Sequence, residues 1–468
     1  MGLVLLILFS NIKGILFNCF HAYDFGIYQQ GIINLAAGES LNPFLTVRGV
    51  STFNDHFMPV LFLAVPFVWL FNFNPTSLIF FEWLWFIFFL YLVWKNFNEK
   101  KKSLVLFSLA LALFSKGILT GLEFPIHPGT WSMPIWFLLI KNIKNHNEKN
   151  IFIFSFILSL FREAYPFGVL LLGFYYLFQR RWRLGSALSL FSTLYLYFVL
   201  ILRKSLLGPT ADYGSKLLKG LVSSPVEFLL EVLRNFEFLV VFKLFIPFIF
   251  LLALILYFEI KNEAKLNRNK WVIASFLLIL PLFGIHFLTN QYHFHYGPAF
   301  VAPLLSIAFL TGGYEKIFSS KRLSTLLLLV FIATSSGRYT KFFNNLFLSK
   351  NNKCTFEHDY YSETLRVKEF FEKNYKGKVI LASGGVIQSI MQPGIEIYPP
   401  DTMVALPPYF DLIVFLRNGS GDTYPWNKHQ VEEAISRCSA YVDKEILSSK
   451  FYYLASGKFP AGCLSVYP

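Results

Sequence analysis

Residues 76–102 read TSLIFFEWLWFIFFLYLVWKNFNEKKK, an apolar run closed by Lys95, Lys100, Lys101 and Lys102. A helix needs about 20 predominantly apolar residues to cross a hydrocarbon core of roughly 30 Å, and this run has that length. The pattern recurs along the chain. Lys141, Lys144 and Lys149 follow another apolar run, then Arg180, Arg181 and Arg183, then Lys261, Lys265, Arg268 and Lys270, and last Lys316, Lys321 and Arg322. Basic residues between spans collect on the cytoplasmic side, so these five clusters are placed there and the alternate connections outside. Of the 468 residues 55% are hydrophobic and 15% charged, against about a quarter charged in a soluble domain, which excludes a purely soluble protein. The net charge of +14 is dispersed over short turns; a nucleic-acid partner would need one continuous patch, and none is expected.

The resulting expectation is an all-α polytopic integral membrane protein of the cytoplasmic (inner) membrane, with about eleven spans. Residues 1–340 form the membrane domain with an outer first loop at 21–73, and residues 345–468 a small C-terminal α/β extracytoplasmic domain. The first span, residues 3–20, carries Asn11 and Lys13 and lacks an A-x-A cleavage site, so it reads as a retained helix with its amino end cytoplasmic. Residues 57–73 are apolar, yet a full crossing there would put the Lys95 cluster outside. They read as a re-entrant or membrane-parallel outer helix, kinked near Pro66. Residues 151–179 must cross twice to keep both flanking clusters inside, with Arg162, Glu163 and Pro166 below the outer surface; the alternative is one crossing with a mid-membrane charge pair. Within 203–239, Ser224-Pro225-Val226-Glu227 is a capping box that opens an amphipathic surface helix.

After the last apolar run, 323–336, the composition changes. Residues 359–375 read as a helix, KVILAS, IEIYPP and FDLIVFL as strands, and VEEAISRCSAYV as a helix. Cys354, Cys438 and Cys463 lie in this tail, where a disulfide is permitted. Cys438 with Cys463 is the expected pair, with an odd thiol left over.

The titratable residues of the outer connections converge on one face. Asp24 follows the first span, and Asp55-His56 closes the same loop, where Asp55 has a structural alternative as a helix cap. Glu123 and His127 flank a Pro-punctuated turn that could serve only to reverse the chain. Arg162-Glu163 interrupts an apolar stretch, where a charge is costly and function is the default reading. His293 and His295 lie in an aromatic run that equally suits an interfacial belt. Carboxylates, a guanidinium and imidazoles together supply a general base and cationic stabilisation of a phosphate leaving group.

Tyr23-Asp24-Phe25-Gly26-Ile27-Tyr28-Gln29-Gln30-Gly31, Asp55-His56-Phe57-x-Pro59, Glu123-Phe124-x-x-His127-Pro128, Arg162-Glu163-Ala164 and Tyr292-x-Phe294-His295-Tyr296, with Gln392-Pro393 and Ile397-Tyr398-Pro399 in the tail, follow one another in order. Together they resemble an uncharacterised prokaryotic polytopic membrane protein family, which usually reads Lys-Glu-Asp where this chain has Arg162-Glu163-Ala164. That family in turn resembles the type C glycosyltransferases (GT-C), which use polyprenyl-phosphate sugars. The resemblance implies a large first loop with membrane-parallel helices and an acidic base in it, matching Asp24. The expected function is transfer of a sugar from a polyprenyl-phosphate-linked donor to an envelope acceptor at the outer face. Asp24 is then the base, and Asp55 and His56 position the acceptor or hold a divalent cation, Mg or Mn. Arg162, with His127, His293 and His295, binds the lipid phosphate, and Glu123 and Glu163 orient these cations. A transporter with a charged intramembrane site, or a non-catalytic assembly or sensor protein displaying the tail, are the alternatives.

Overall fold

The structure, a computed structural model, describes residues 2–19, 25–97, 102–123, 126–208, 226–227, 230, 238–261, 270–288, 297–347, 357–375, 377–400, 406–417, 423 and 426–464. Thr76–Phe97 is one helix of 22 residues, about 33 Å long at 1.5 Å per residue. Its two faces differ. Phe81, Trp83, Phe86, Phe89, Val93 and Phe97 are buried, whereas Phe80, Leu84, Ile87, Phe88, Tyr91 and Trp94 are exposed. A continuous stripe of large exposed apolar side chains suits hydrocarbon rather than water as solvent.

Thr76–Phe97, Trp182–Leu207 and Lys321–Asn344 are each long and apolar enough to cross a membrane. The pairs Lys102–Leu113 with Lys116–Glu123, bent by 54°, and Gly297–Leu310 with Gly313–Ser319, bent by 79°, bring the number to five if each is one span. Gly2–Leu16, Tyr165–Phe178, Phe245–Ile255 and Lys270–Ile285 are shorter apolar helices, and the expected count of about eleven depends on adding such pieces.

The two segments that strained the topology are both resolved as breaks. Residues 57–73 contain a 3-10 turn, Pro59–Ala64, and a short helix, Val65–Leu70. Together they span roughly 20 Å, too little to cross. Pro66 sits in the first helical turn, where its missing N–H costs nothing. Phe62, Leu63, Trp69, Leu70 and Phe71 are exposed along this segment. Residues 151–179 are likewise two helices, Glu148–Ser159 and Tyr165–Phe178, so Arg162 and Glu163 occupy the turn between them and not a helix interior.

The bundle packs through small residues. A Cβ on Gly168 would fall 1.9 Å from the Leu278 carbonyl oxygen, and one on Gly297 2.4 Å from that of Gly117. Backbones approach this closely where dispersion between helices must replace the hydrophobic effect.

Two short strands, β1 (Phe44–Leu45) and β2 (Val50–Ser51), pair antiparallel in the first loop, and the tail carries a five-stranded mixed sheet. β3 (Val379–Ala382), β4 (Glu396–Tyr398) and β5 (Tyr409–Leu416) run parallel; β6 (Val442–Ser448) and β7 (Tyr452–Pro460) form an antiparallel hairpin beside β5. The helices His358–Asn374 and Lys428–Cys438 fall where expected. The β6–β7 hairpin was not anticipated, because Asp443, Lys444 and Glu445 give β6 a surface composition. Those charges sit on an exposed edge, where they discourage pairing with another chain. Cys438 and Cys463 are bonded and tie the last helix to the terminal turn. The expected odd thiol is corrected: Cys19 is also disulfide-bonded, and no described cysteine is free.

The tail sits on the first loop. The Asn18 amide donates to Tyr452 Oη at 2.7 Å, Tyr360 Oη donates to the Phe17 carbonyl at 3.1 Å, and the Tyr360 and Tyr452 rings stack at 5.5 Å. In the helix Ile27–Ala37, Gln29 donates to the Gln388 carbonyl at 2.9 Å and Gln30 to Thr46 Oγ1 at 2.8 Å. The paired glutamines of the sequence signature are thus structural. The amphipathic helix expected to open at Ser224 falls mostly outside the described residues, which include Val226, Glu227 and Leu230 of it.

Gly168→Leu is expected to force its helix away from Lys270–Leu288 and to destabilise the bundle by about 1–3 kcal/mol. Thermal unfolding in detergent reads this as a lower midpoint, and an unchanged midpoint would refute the close contact.

Candidate active site

The site is assembled from three separate pieces of chain. The first is the short helix Thr52–Asp55 at the end of the outer loop. Asn42 fixes it, accepting from the Phe53 amide at 2.7 Å and donating to Asn54 Oδ1 at 3.0 Å. Asp55, buried, accepts from Arg48 Nε at 3.0 Å. His56 follows in extended conformation, which turns the imidazole away from its neighbour.

The second piece is the turn at Leu160–Ala164. His56 Nδ1 lies 2.8 Å from Glu163 Oε1, and the Val60 amide donates to the Leu160 carbonyl at 3.3 Å, docking loop on turn.

The third piece is the carboxyl end of the long helix that begins at Trp182. Phe198–Leu202 widens into a π-helical turn before Arg203, a distortion that re-aims side chains and concentrates at functional sites. Arg203 Nη1 then reaches Glu163 Oε2 at 3.2 Å and the Phe53 carbonyl at 3.3 Å. Asn54 closes the ring by donating to the Leu207 carbonyl at 2.8 Å. Phe53, Phe57, Phe62, Tyr195 and Phe198 wall this cluster, with ring centroids 5.1–6.0 Å apart.

Burial would raise the Glu163 carboxyl, but the His56 hydrogen bond and charge, then Arg203 and Arg162, outweigh it and hold its pKa below the ordinary 4.5. Glu163 therefore meets two guanidiniums, Arg203 and Arg162, beside the His56 imidazole, and Asp55, next to His56 in the chain, pairs with Arg48. The balance is cationic and the wall apolar. Each of the two carboxylates already faces a guanidinium and His56 faces a carboxylate, a donor set that does not fit a divalent cation. Among the described residues no group of three His, Cys, Asp or Glu could hold a metal.

Of the residues singled out from sequence, the structure thus brings together His56, Arg162 and Glu163, with Asp55 one residue from His56 and bonded to Arg48. Glu123 instead bonds to Arg338 and Lys341 of the Lys321–Phe347 helix, and His127 packs edge-on to Tyr28 with centroids 5.0 Å apart. Asp24, His293 and His295 lie outside the described residues.

Sequence reasoning missed Arg48, Arg203 and Glu82. Arg203 had a signal: it is the charge that ends the uncharged run 184–202. Glu82 had one too, as the lone acid of the 76–94 run. It is buried and accepts from the Ile126 amide, holding a β-branched residue at φ 69°, a left-handed conformation that such residues rarely adopt. Glu82 thereby fixes the turn that presents His127.

A polytopic helical membrane bundle with an ion-paired, cationic site under its first loop is the class this fold and site define. The chain belongs to the family described as "Predicted membrane protein (DUF2079)", whose model matches residues 18–370. Its fold is similar to that of ArnT from Cupriavidus metallidurans, solved in a crystal structure bound to undecaprenyl phosphate. The two share 10% identity at a TM-score of 0.50, over 97% of this chain and 96% of that one. The resemblance to GT-C proteins expected from the motifs is thus carried by the fold. No curated protein matches the chain.

Because the folded pKa of Glu163 lies below its unfolded value, its carboxylate contributes stability above about pH 4.5, and that contribution is lost as pH falls through the folded value. Glu163→Gln should therefore flatten the acid limb of a stability-versus-pH curve. An identical acid limb in the variant and the parent would show that the carboxylate is not so held.

Proposed function

We propose that the chain is a GT-C-like glycosyltransferase that takes its sugar from a polyprenyl-phosphate donor and passes it to an acceptor at the outer membrane face. The observation that carries this reading is the Arg203–Glu163–His56 cluster, Arg203 buried and the other two partly so, against an aromatic wall. A polyprenyl phosphate is amphiphilic, with an anionic head on an apolar chain. Guanidiniums bind phosphate bidentately, and phenyl rings offer the tail a hydrocarbon surface. The likeness to a fold crystallised with undecaprenyl phosphate supports the same class of ligand.

In the proposed reaction the acceptor hydroxyl attacks the anomeric carbon of the sugar while Asp24 takes its proton. The bond from that carbon to the phosphate oxygen breaks, and its electron pair leaves with the phosphate. Arg203 and Arg162 offset the growing charge. Glu163 holds Arg203 and His56 in place, and Asp55 does the same for Arg48. His127 stands on the turn fixed by Glu82, and His293 and His295 keep their expected role near the phosphate. No step runs through a metal ion. The Cys438–Cys463 bond supports an extracytoplasmic tail, since disulfides persist in oxidising compartments.

Protein reconstituted in nanodiscs should bind undecaprenyl phosphate, with affinity lowered at least about tenfold, or 1.4 kcal/mol, by Arg203→Ala and less by Arg203→Lys. Asp24→Asn should keep that binding and abolish transfer. The reading fails if the parent protein binds no polyprenyl phosphate and Asp24→Asn leaves the cellular phenotype intact.

A further inference from the structure

A cavity of about 370 Å³ opens where residues 71–75 meet the tail. Its walls include Asn72, Phe73 and Asn74 on one side and Lys368, Glu372 and Gln392 on the other. None of these belongs to the ionic cluster of His56, Glu163 and Arg203, and Gln392-Pro393 is the tail motif that the proposed reaction leaves unused.

Three observations mark a built site rather than a gap. Asn72 and Phe73 are consecutive left-handed residues, at φ 48° and 60°, a conformation disfavoured for both and most costly for the bulky phenylalanine. Strain of this kind collects at ligand clamps. The opposite wall is pinned: the Gly394 amide donates to Glu39 Oε1 at 2.7 Å and the Ile395 amide to the Gln392 carbonyl at 3.3 Å, so the cleft is formed before anything enters it. Lys368 and Glu372 stand one turn apart on the His358–Asn374 helix, where such residues often pair. Among the described residues neither takes part in an ion pair. Pockets at domain junctions, with a few convergent polar groups and a volume of a few hundred Å³, are the ordinary form of a small-molecule site.

We propose that this cleft binds a saccharide, and that the saccharide is the acceptor's; the second clause rests on the transferase reading above, the first does not. The carboxamides of Asn72 and Gln392, the side-chain amide N–H groups of Asn74, whose Oδ1 already accepts from Thr76, an ammonium and a carboxylate supply donors and acceptors of both kinds without a dominant charge. That suits a molecule covered in hydroxyls and does not suit a phosphate. The Phe73 ring adds an apolar face of the sort that the C–H face of a sugar ring packs against. Trp69, Leu70 and Phe71 are exposed beside the cleft, which places it at a membrane surface, where the glycan of an envelope component would present itself.

The test uses full-length protein in nanodiscs and a panel of soluble mono- and disaccharides comprising neutral hexoses, N-acetylhexosamines and uronic acids. Binding is read by saturation-transfer NMR and titration. The expected result is binding of at least one class, weakened at least tenfold by Asn72→Ala and by Gln392→Ala, with Gln392→Glu intermediate and melting midpoints unchanged. Arg203→Lys, which impairs undecaprenyl phosphate binding, should leave saccharide binding as it is. Absence of binding by every saccharide of the panel at millimolar concentration overturns the proposal, as does binding that all the cleft variants retain. A cleft that binds saccharide in a protein that binds no polyprenyl phosphate would sink the transferase reading alone.

Discussion

One carboxylate holds the functional face together. Glu163 spans 2.8 Å to His56 and 3.2 Å to Arg203, and so joins the outer loop, the turn at 160–164 and the end of the Trp182 helix. Taking such groups out of water costs several kcal/mol per ion, and the attraction between them roughly offsets it. The cluster therefore adds little to stability as a whole. Its effect is on arrangement: removing one partner leaves the others as partly buried charges without their counterion, which disfavours other placements of the three segments.

The rest of the first loop is organised by the same need to pair buried polar groups. Asn42, Asn54, Gln29, Gln30 and Thr46 are spent on backbone groups and on one another, which gives an irregular loop the rigidity of a packed element. The tail is drawn into this arrangement through Asn18, Tyr360 and Tyr452. It is consequently a wall of the first loop. An anionic ligand entering from the lipid would meet Arg203 and Arg162 in a water-poor setting. There a guanidinium–phosphate attraction is worth more than at an open surface.

The sequence read alone reaches some parts of this molecule and misses others, for reasons particular residues make plain. The tail strands at 379–382, 396–398 and 409–416 are short apolar runs bounded by turn residues, and such runs declare themselves locally. The hairpin at 442–460 does not, because its edge strand is charged and its inward face depends on β5. Arg162 and Glu163 stood out because charge inside an apolar stretch is conspicuous. Arg203 marks itself only as the charged end of an apolar run; its partner lies 40 residues away, a pairing no local pattern records.

What the chain determines by itself is where hydrocarbon can surround it: the apolar runs, their basic ends, the breaks at Pro66 and Arg162, and the change of composition after residue 336. These are local, additive properties of side-chain transfer free energy, and they can be summed along a string of residues. Which carboxylate meets which cation is a different kind of fact. Glu123 going to Arg338 and Lys341, Glu163 to His56 and Arg203, and Asp55 to Arg48 are set by how helices and loops pack. Ion pairing acts over a few ångströms of space regardless of separation along the chain, so only the tertiary structure decides it.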